Sequence, residues 1–135
     1  MVSNTTVLCF VAAGATAVAG ILHLLMAPNM LAFNPNATIL FGVGGAAQLF
    51  WVVPMVRKWG RVWYSVGIAG TVAFALIWVI TRMPDNPITG RAGQVNEMAI
   101  AVESMQAIFI GATAAVLAIE SRMKRVDRKL TENSR

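Results

Sequence analysis

The chain has 135 residues, 57% of them hydrophobic and only 13% charged, with a mean hydropathy of +0.65. Soluble domains carry about one-quarter charged residues, so this composition excludes an ordinary water-soluble fold. The net charge of +5 does not mark a nucleic-acid binder, because the basic residues sit at helix ends and in a C-terminal segment, and the single cysteine excludes an internal disulfide.

Four apolar runs, residues 5–27, 37–56, 62–81 and 98–119, have about the ~20 residues a helix needs to cross hydrocarbon. Backbone amides in lipid have no water to bond, so each run is predicted to be helical. The expected fold is an all-α, integral membrane four-helix bundle over residues 1–121, followed by a basic cytoplasmic tail over 122–135.

The first run contains Cys9, expected to act as a small buried hydrophobe, and His23, about five residues or roughly 7 Å from the run's far end. Ala17-Val18-Ala19 resembles a signal-peptide cleavage site. Met1 to Thr6 carry no basic residue, however, and the apolar stretch exceeds a usual signal core, so the run is expected to be retained. Residues 28–36 read as a turn, with Pro28, Asn29, Asn34, Pro35 and Asn36, and either Asn36 or Thr38 is expected to cap the second helix. The sequon Asn36-Ala37-Thr38 lies too near the membrane surface for glycosylation, and capping is its simpler role.

The second helix is rich in small residues, Gly42, Gly44, Gly45, Ala46 and Ala47. Similar positions recur as Gly14, Ala17 and Gly20, as Gly67 and Gly70, and as Gly111 and Ala115, which predicts close approach between helices. Trp51, Trp59, Trp63 and Tyr64 surround the basic turn at 57–61, the depth at which amphipathic rings anchor in the interface.

Residues 82–97 form the longest connection. Pro84 and Pro87 restrict its backbone, Gly90 and Gly93 permit positive φ, and Asp85 and Asn86 can close turns through their side chains. With Arg91, Asn96 and Glu97 it reads as an ordered external cap on the bundle rather than an active-site loop.

Below that cap Glu103 is the costliest residue in the apolar runs, about seven residues or roughly 10 Å from the start of its helix. Asn96, Glu103 and Gln106 share one helical face, and His23 lies at a similar depth. A carboxylate there must face protein and find donors, so a buried polar network is expected among His23, Gln48, Arg82, Glu103 and Gln106. Its role is open between a structural polar knot, a metal or proton site, and a contact with another subunit. One histidine plus one carboxylate is an incomplete metal shell, and Met26, Met30, Met83, Met98 and Met105 form no tight copper-binding motif. No catalytic or cofactor-binding set is recognisable.

With four crossings, Arg57, Lys58, Arg61, Arg122, Lys124, Arg125, Arg128, Lys129 and Arg135 fall on one side, and only Arg82 and Arg91 on the other. Nine basic residues against two predict that both termini are cytoplasmic.

Residues 48–64, QLFWVVPMVRKWGRVWY, and 81–97, TRMPDNPITGRAGQVNE, together with His23 and Glu103, resemble small four-helix membrane proteins of ammonia-oxidising archaea. That resemblance implies a non-catalytic accessory subunit of a membrane-bound oxidoreductase, the copper-dependent ammonia monooxygenase. Its partners would be other integral membrane subunits and the lipid bilayer, and the copper would belong to those partner subunits. The alternative is a small oligomeric transporter or channel for a metal ion or polar solute, with Glu103 and His23 along its path. An uncharacterised membrane enzyme is a third possibility.

Overall fold

The computed structural model describes residues 3–134; Met1, at the head of the segment weighed as a signal peptide, and Arg135, counted among the basic residues, lie outside them. The chain forms α1 (Asn4–Met30), α2 (Pro35–Val56), α3 (Arg61–Ile80) and α4 (Glu97–Asn133), with no strand among the described residues. All four are long and apolar enough to cross a membrane. Each helix packs on its neighbours in the order α1, α2, α3, α4 and back to α1, leaving the diagonal pairs apart. One end of the bundle carries both termini and the α2–α3 turn, and is called the tail end here. The loop end carries the other two connections.

Three of the four helices start on a side-chain cap that accepts a free first-turn amide. Ser3 Oγ accepts from Thr6 N (3.2 Å), Asn34 Oδ1 from Ala37 N (3.1 Å) and Asn96 Oδ1 from Ala99 N (2.9 Å). The cap of α2 is therefore Asn34 rather than Asn36 or Thr38. Pro35 occupies the first helical position, where its missing N–H costs nothing, and this places the cap one residue earlier. Asn36 instead donates to Ile88 O across the loop end (3.1 Å) and Thr38 Oγ1 donates back to Asn34 O (3.3 Å).

α1 also runs through Pro28, which the sequence reading assigned to a turn. Proline removes one donor, but the last turn is held downstream by Leu31 N to Pro28 O (3.2 Å) and Asn34 N to Met30 O (2.7 Å). At the other end of the chain, α4 has 37 residues and so extends about 55 Å, well beyond the ~30 Å of hydrocarbon. The basic residues after Ser121 continue this helix to Asn133.

α1 is the pivot of the bundle, packing most extensively on α2 and then on α4. It meets α2 where two glycines face each other: a Cβ on Gly45 would stand 2.8 Å from Gly20 O, and one on Gly20 would stand 2.9 Å from Gly45 O. Gly44 lies under the Phe74 ring, and a Cβ on Gly67 would run into the Trp51 indole. Gly14, Gly42, Gly70 and Gly111 have open space where a Cβ would stand, so the close approaches use only part of the small-residue pattern.

The tail-end half holds a dense core of Cys9, Ala12, Met55, Tyr64, Phe109 and Val116 with their neighbours. Phe50, Trp51, Trp59 and Trp63 cluster around the α2–α3 turn with ring centroids 4.9–6.2 Å apart. Tyr64 does not join them as an interfacial anchor. It is 1% exposed, with its hydroxyl 3.9 Å from Cys9 Sγ, because the first turn of α3 points this ring between α1 and α4.

Candidate functional site: a polar-rimmed cavity at the loop end

α2 and α3 are the least closely packed neighbours in the bundle. Toward the loop end the space between them and the other two helices is a cavity of about 600 Å³, within the usual size of small-molecule sites. Its walls are mostly apolar, with Met26 from α1, Phe41 from α2, Phe74 and Ile77 from α3, and Val102 from α4.

His23, Arg82, Glu103 and Gln106 all line this cavity. Gln48 stands behind it and binds His23: Nδ1 lies 2.8 Å from Gln48 Oε1, the amide oxygen accepting. The imidazole is also wedged between Phe41 and Phe74, at centroid distances of 5.5 and 6.4 Å. Thr16 Oγ1 donates to Gln48 O (2.9 Å), which ties this pair to the glycine crossing of α1 and α2. The five residues expected to form one network are thus arranged as a bonded His23–Gln48 pair and three separate groups lining the cavity, Arg82 just after α3 and Glu103 and Gln106 on α4.

Two of these three groups, Gln106 and Arg82, are incompletely satisfied. Gln106 is 2% exposed and its Oε1 has no partner. Arg82 Nε is buried without a partner, and so is Trp78 Nε1, one helical turn earlier on the same cavity wall. The Arg82 guanidinium lies over the Trp78 ring, 4.9 Å from its centroid. The absence of a side chain at Gly93 makes room for it, since a Cβ there would meet the guanidinium. Burial pulls the Arg82 pKa below the ordinary arginine value, and the Glu103 carboxylate opposes that shift. The two charges nevertheless do not touch; among the described residues the only ion pair within 4.0 Å is Arg128–Glu132.

The connection above the cavity is organised by Asn86, which is 4% exposed. Its Nδ2 donates to Met83 O and Arg91 O (both 3.0 Å), while Oδ1 accepts from Ile88 N (3.1 Å), Thr89 N (2.8 Å) and Thr89 Oγ1 (3.0 Å). Asp85 and Gly90 take positive φ, 52° and 72°, while Asp85 and Pro87 are exposed. The loop is fastened to the α1–α2 connection by Asn34 Nδ2 to Thr89 O (2.9 Å) and Arg91 Nη2 to Phe33 O (3.0 Å). Asn96 both caps α4 and lines the cavity, and Glu97 places a negative charge in the first turn of α4, where the helix dipole favours it.

Sequence reasoning did not single out Trp78, Phe41 or Phe74, and it marked Gly93 for a positive φ, which Gly90 adopts and Gly93 does not. The one available signal was the Trp78–Arg82 spacing of one helical turn, which lets an indole and a guanidinium stack. Among the described residues, no three His, Cys, Asp or Glu side chains gather where they could hold a metal ion.

Fold and site together describe a four-helix bundle able to cross a membrane, with an unevenly satisfied polar cavity under an ordered loop. The chain belongs to DUF7475, a family of unknown function whose model matches residues 1–117 and so covers the bundle and stops within α4. No curated protein and no solved structure is significantly similar to it.

Proposed function

We propose that this chain is a membrane-embedded binding protein for a small polar solute, a transporter or transporter component, with the loop-end cavity as its site. One observation carries the reading: Trp78 Nε1, Arg82 Nε and Gln106 Oε1, three buried polar atoms without partners, all belong to residues lining the same cavity. Such atoms cost about 1–3 kcal/mol each when left unpaired, and a polar occupant removes that cost. The tail-end core beneath the cavity is densely packed, so solute enters from the loop end and passage requires the inner half to open. The charge asymmetry orients the loop end outward and both termini toward the cytoplasm. In a Cys9→Ala background, Lys58→Cys and Lys124→Cys should label from the cytoplasmic side only and Val95→Cys from the outside only. A Leu40→Cys reporter on the cavity wall should react with a small thiol reagent added outside. Labelling of all four from one side would overturn the orientation, and an inert Leu40→Cys would overturn the open cavity.

A second reading is favoured by a different observation. Beyond the bundle, Met123, Val126 and Leu130 form an exposed apolar row on α4, spaced at i, i+3 and i+7 among basic residues. A row of this kind suits a partner subunit or a membrane surface. With the resemblance drawn above, it supports a non-catalytic accessory subunit of a membrane oxidoreductase such as ammonia monooxygenase, the copper being held by the partners. Purification in mild detergent followed by mass spectrometry distinguishes the two: stable heteromeric partners lost on deleting residues 124–135 support the subunit, and a homo-oligomer with intact solute binding supports the transporter.

A further inference from the structure

The unpartnered groups of the cavity are not scattered at random in chemistry. One wall presents donors: the Trp78 indole N–H near the end of α3 and the Arg82 guanidinium in the turn that follows it. The α4 wall presents acceptors: the Gln106 Oε1 and the Glu103 carboxylate, three residues apart on one face. Arg82 and Glu103 are near enough for each to bear on the other's charge, yet more than 4.0 Å separates their charged atoms. The guanidinium is kept on its own side by stacking on Trp78, in space that Gly93 leaves free. What results is an ion pair held open across a cavity.

An open ion pair selects against three kinds of occupant. An anion is drawn to Arg82 but repelled by Glu103, and a cation meets the reverse. A neutral apolar molecule leaves both charges desolvated and unpaired, which is the costliest arrangement. Arg91, the other charge at the rim, is exposed and spends a guanidinium N–H on Phe33 O, so it does not tip the balance strongly toward anions. The cavity wall also includes Phe41, Phe74, Ile77 and Val102, which suits an aliphatic or aromatic body.

We propose that the solute is a small zwitterion with an apolar body, its carboxylate on Arg82 and Trp78 and its ammonium on Glu103 and Gln106. This rests on the cavity being a solute site and adds the charge class of the ligand. The alignment asks nothing of His23, whose Nδ1 is already held by Gln48.

The test uses the full-length chain in lipid nanodiscs and isothermal titration with three probes of one shape: L-leucine, its deaminated analogue 4-methylpentanoate and its decarboxylated analogue 3-methylbutylamine. L-methionine and glycine betaine extend the zwitterion set. At least one zwitterion should bind tenfold or more tightly than either singly charged analogue. Arg82→Gln should erase the advantage of leucine over the amine, and Glu103→Gln its advantage over the carboxylate. Glu103→Gln is isosteric, Arg82→Gln shortens the side chain but keeps an amide donor, and unchanged thermal unfolding without ligand reports that both fold. If an analogue binds as well as every zwitterion, the charge-class proposal falls while the cavity remains a solute site. If no probe binds, or if binding survives both Ala99→Phe and Val102→Trp, which together crowd the cavity, the solute-site reading falls with it.

Discussion

The two halves of this bundle are made from the same four helices but solve different problems. At the tail end, small residues let rings and backbones close on one another: Cys9, Tyr64, Phe109 and Val116 are all about 1% exposed or less. At the loop end, the same α2 and α3 stand apart, three buried polar atoms lack partners against one, Thr113 Oγ1, at the tail end, and the space is roofed by a loop held through Asn86. A membrane bundle gains nothing from driving apolar side chains together against lipid, which is itself apolar, so its stability rests on packing and hydrogen bonds. The tail end uses both. The loop end forgoes them where the cavity lies and recovers hydrogen bonds in its cap, the pattern expected of a site rather than a scaffold.

The sharpest way to break this comparison is to enlarge one small side chain at the glycine crossing and one on the cavity wall. Gly45→Ala puts a Cβ 2.8 Å from the Gly20 carbonyl oxygen, where backbone must yield, and α1 and α2 have to separate. The expected loss is about 1–3 kcal/mol in denaturation from mixed micelles. Ala99→Leu adds a larger group but points it into the cavity, and should change stability by less than about 1 kcal/mol. Equal costs for the two would mean that the loop-end half is as tightly packed as the crossing.

Asn86→Ala tests the cap alone. The side chain makes two donor and three acceptor bonds that close the loop on itself, and alanine leaves Met83 O, Arg91 O and the amides of Ile88 and Thr89 without it. Some of those groups reach water, so the expected cost is about 2 kcal/mol, confined to residues 83–93. Amide hydrogen exchange at Ile88 and Thr89 should quicken on the order of 30-fold while exchange in the tail-end half stays unchanged. Uniform quickening would show that cap and core open together.

Much of the fold was legible because lipid leaves the backbone few options. Four apolar runs give four helices, but the cap of α2 was expected at Asn36 or Thr38, and Pro35 at the first helical position puts it on Asn34 instead. Tyr64 was misread because a tyrosine beside Trp63 looks interfacial in sequence, whereas one residue is 100° around a helix and points the ring into the core. For the site, depth along the helices was enough to bring His23, Arg82, Glu103 and Gln106 to one cavity. It was not enough to say which of them touch. That depends on the splay of α2 from α3 and on the room beside Gly93, and neither leaves a periodic trace in the sequence.

The smallest expected effect is also the one whose sign separates a solute site from a scaffold. Gln106 buries an acceptor with no partner, a group that costs free energy in the empty protein. Gln106→Leu shortens the side chain by one atom, removes that acceptor and leaves the apolar wall continuous with Val102. If the glutamine is kept for a ligand, the leucine variant should be more stable than the parent by about 1 kcal/mol without solute, and should lose the stabilisation that solute confers on the parent. If the glutamine instead holds the bundle together, the same change should destabilise, with or without solute. Unfolding in mixed micelles across a concentration series of L-leucine measures both quantities on one sample, and a destabilised Gln106→Leu protein would return this residue to a structural role.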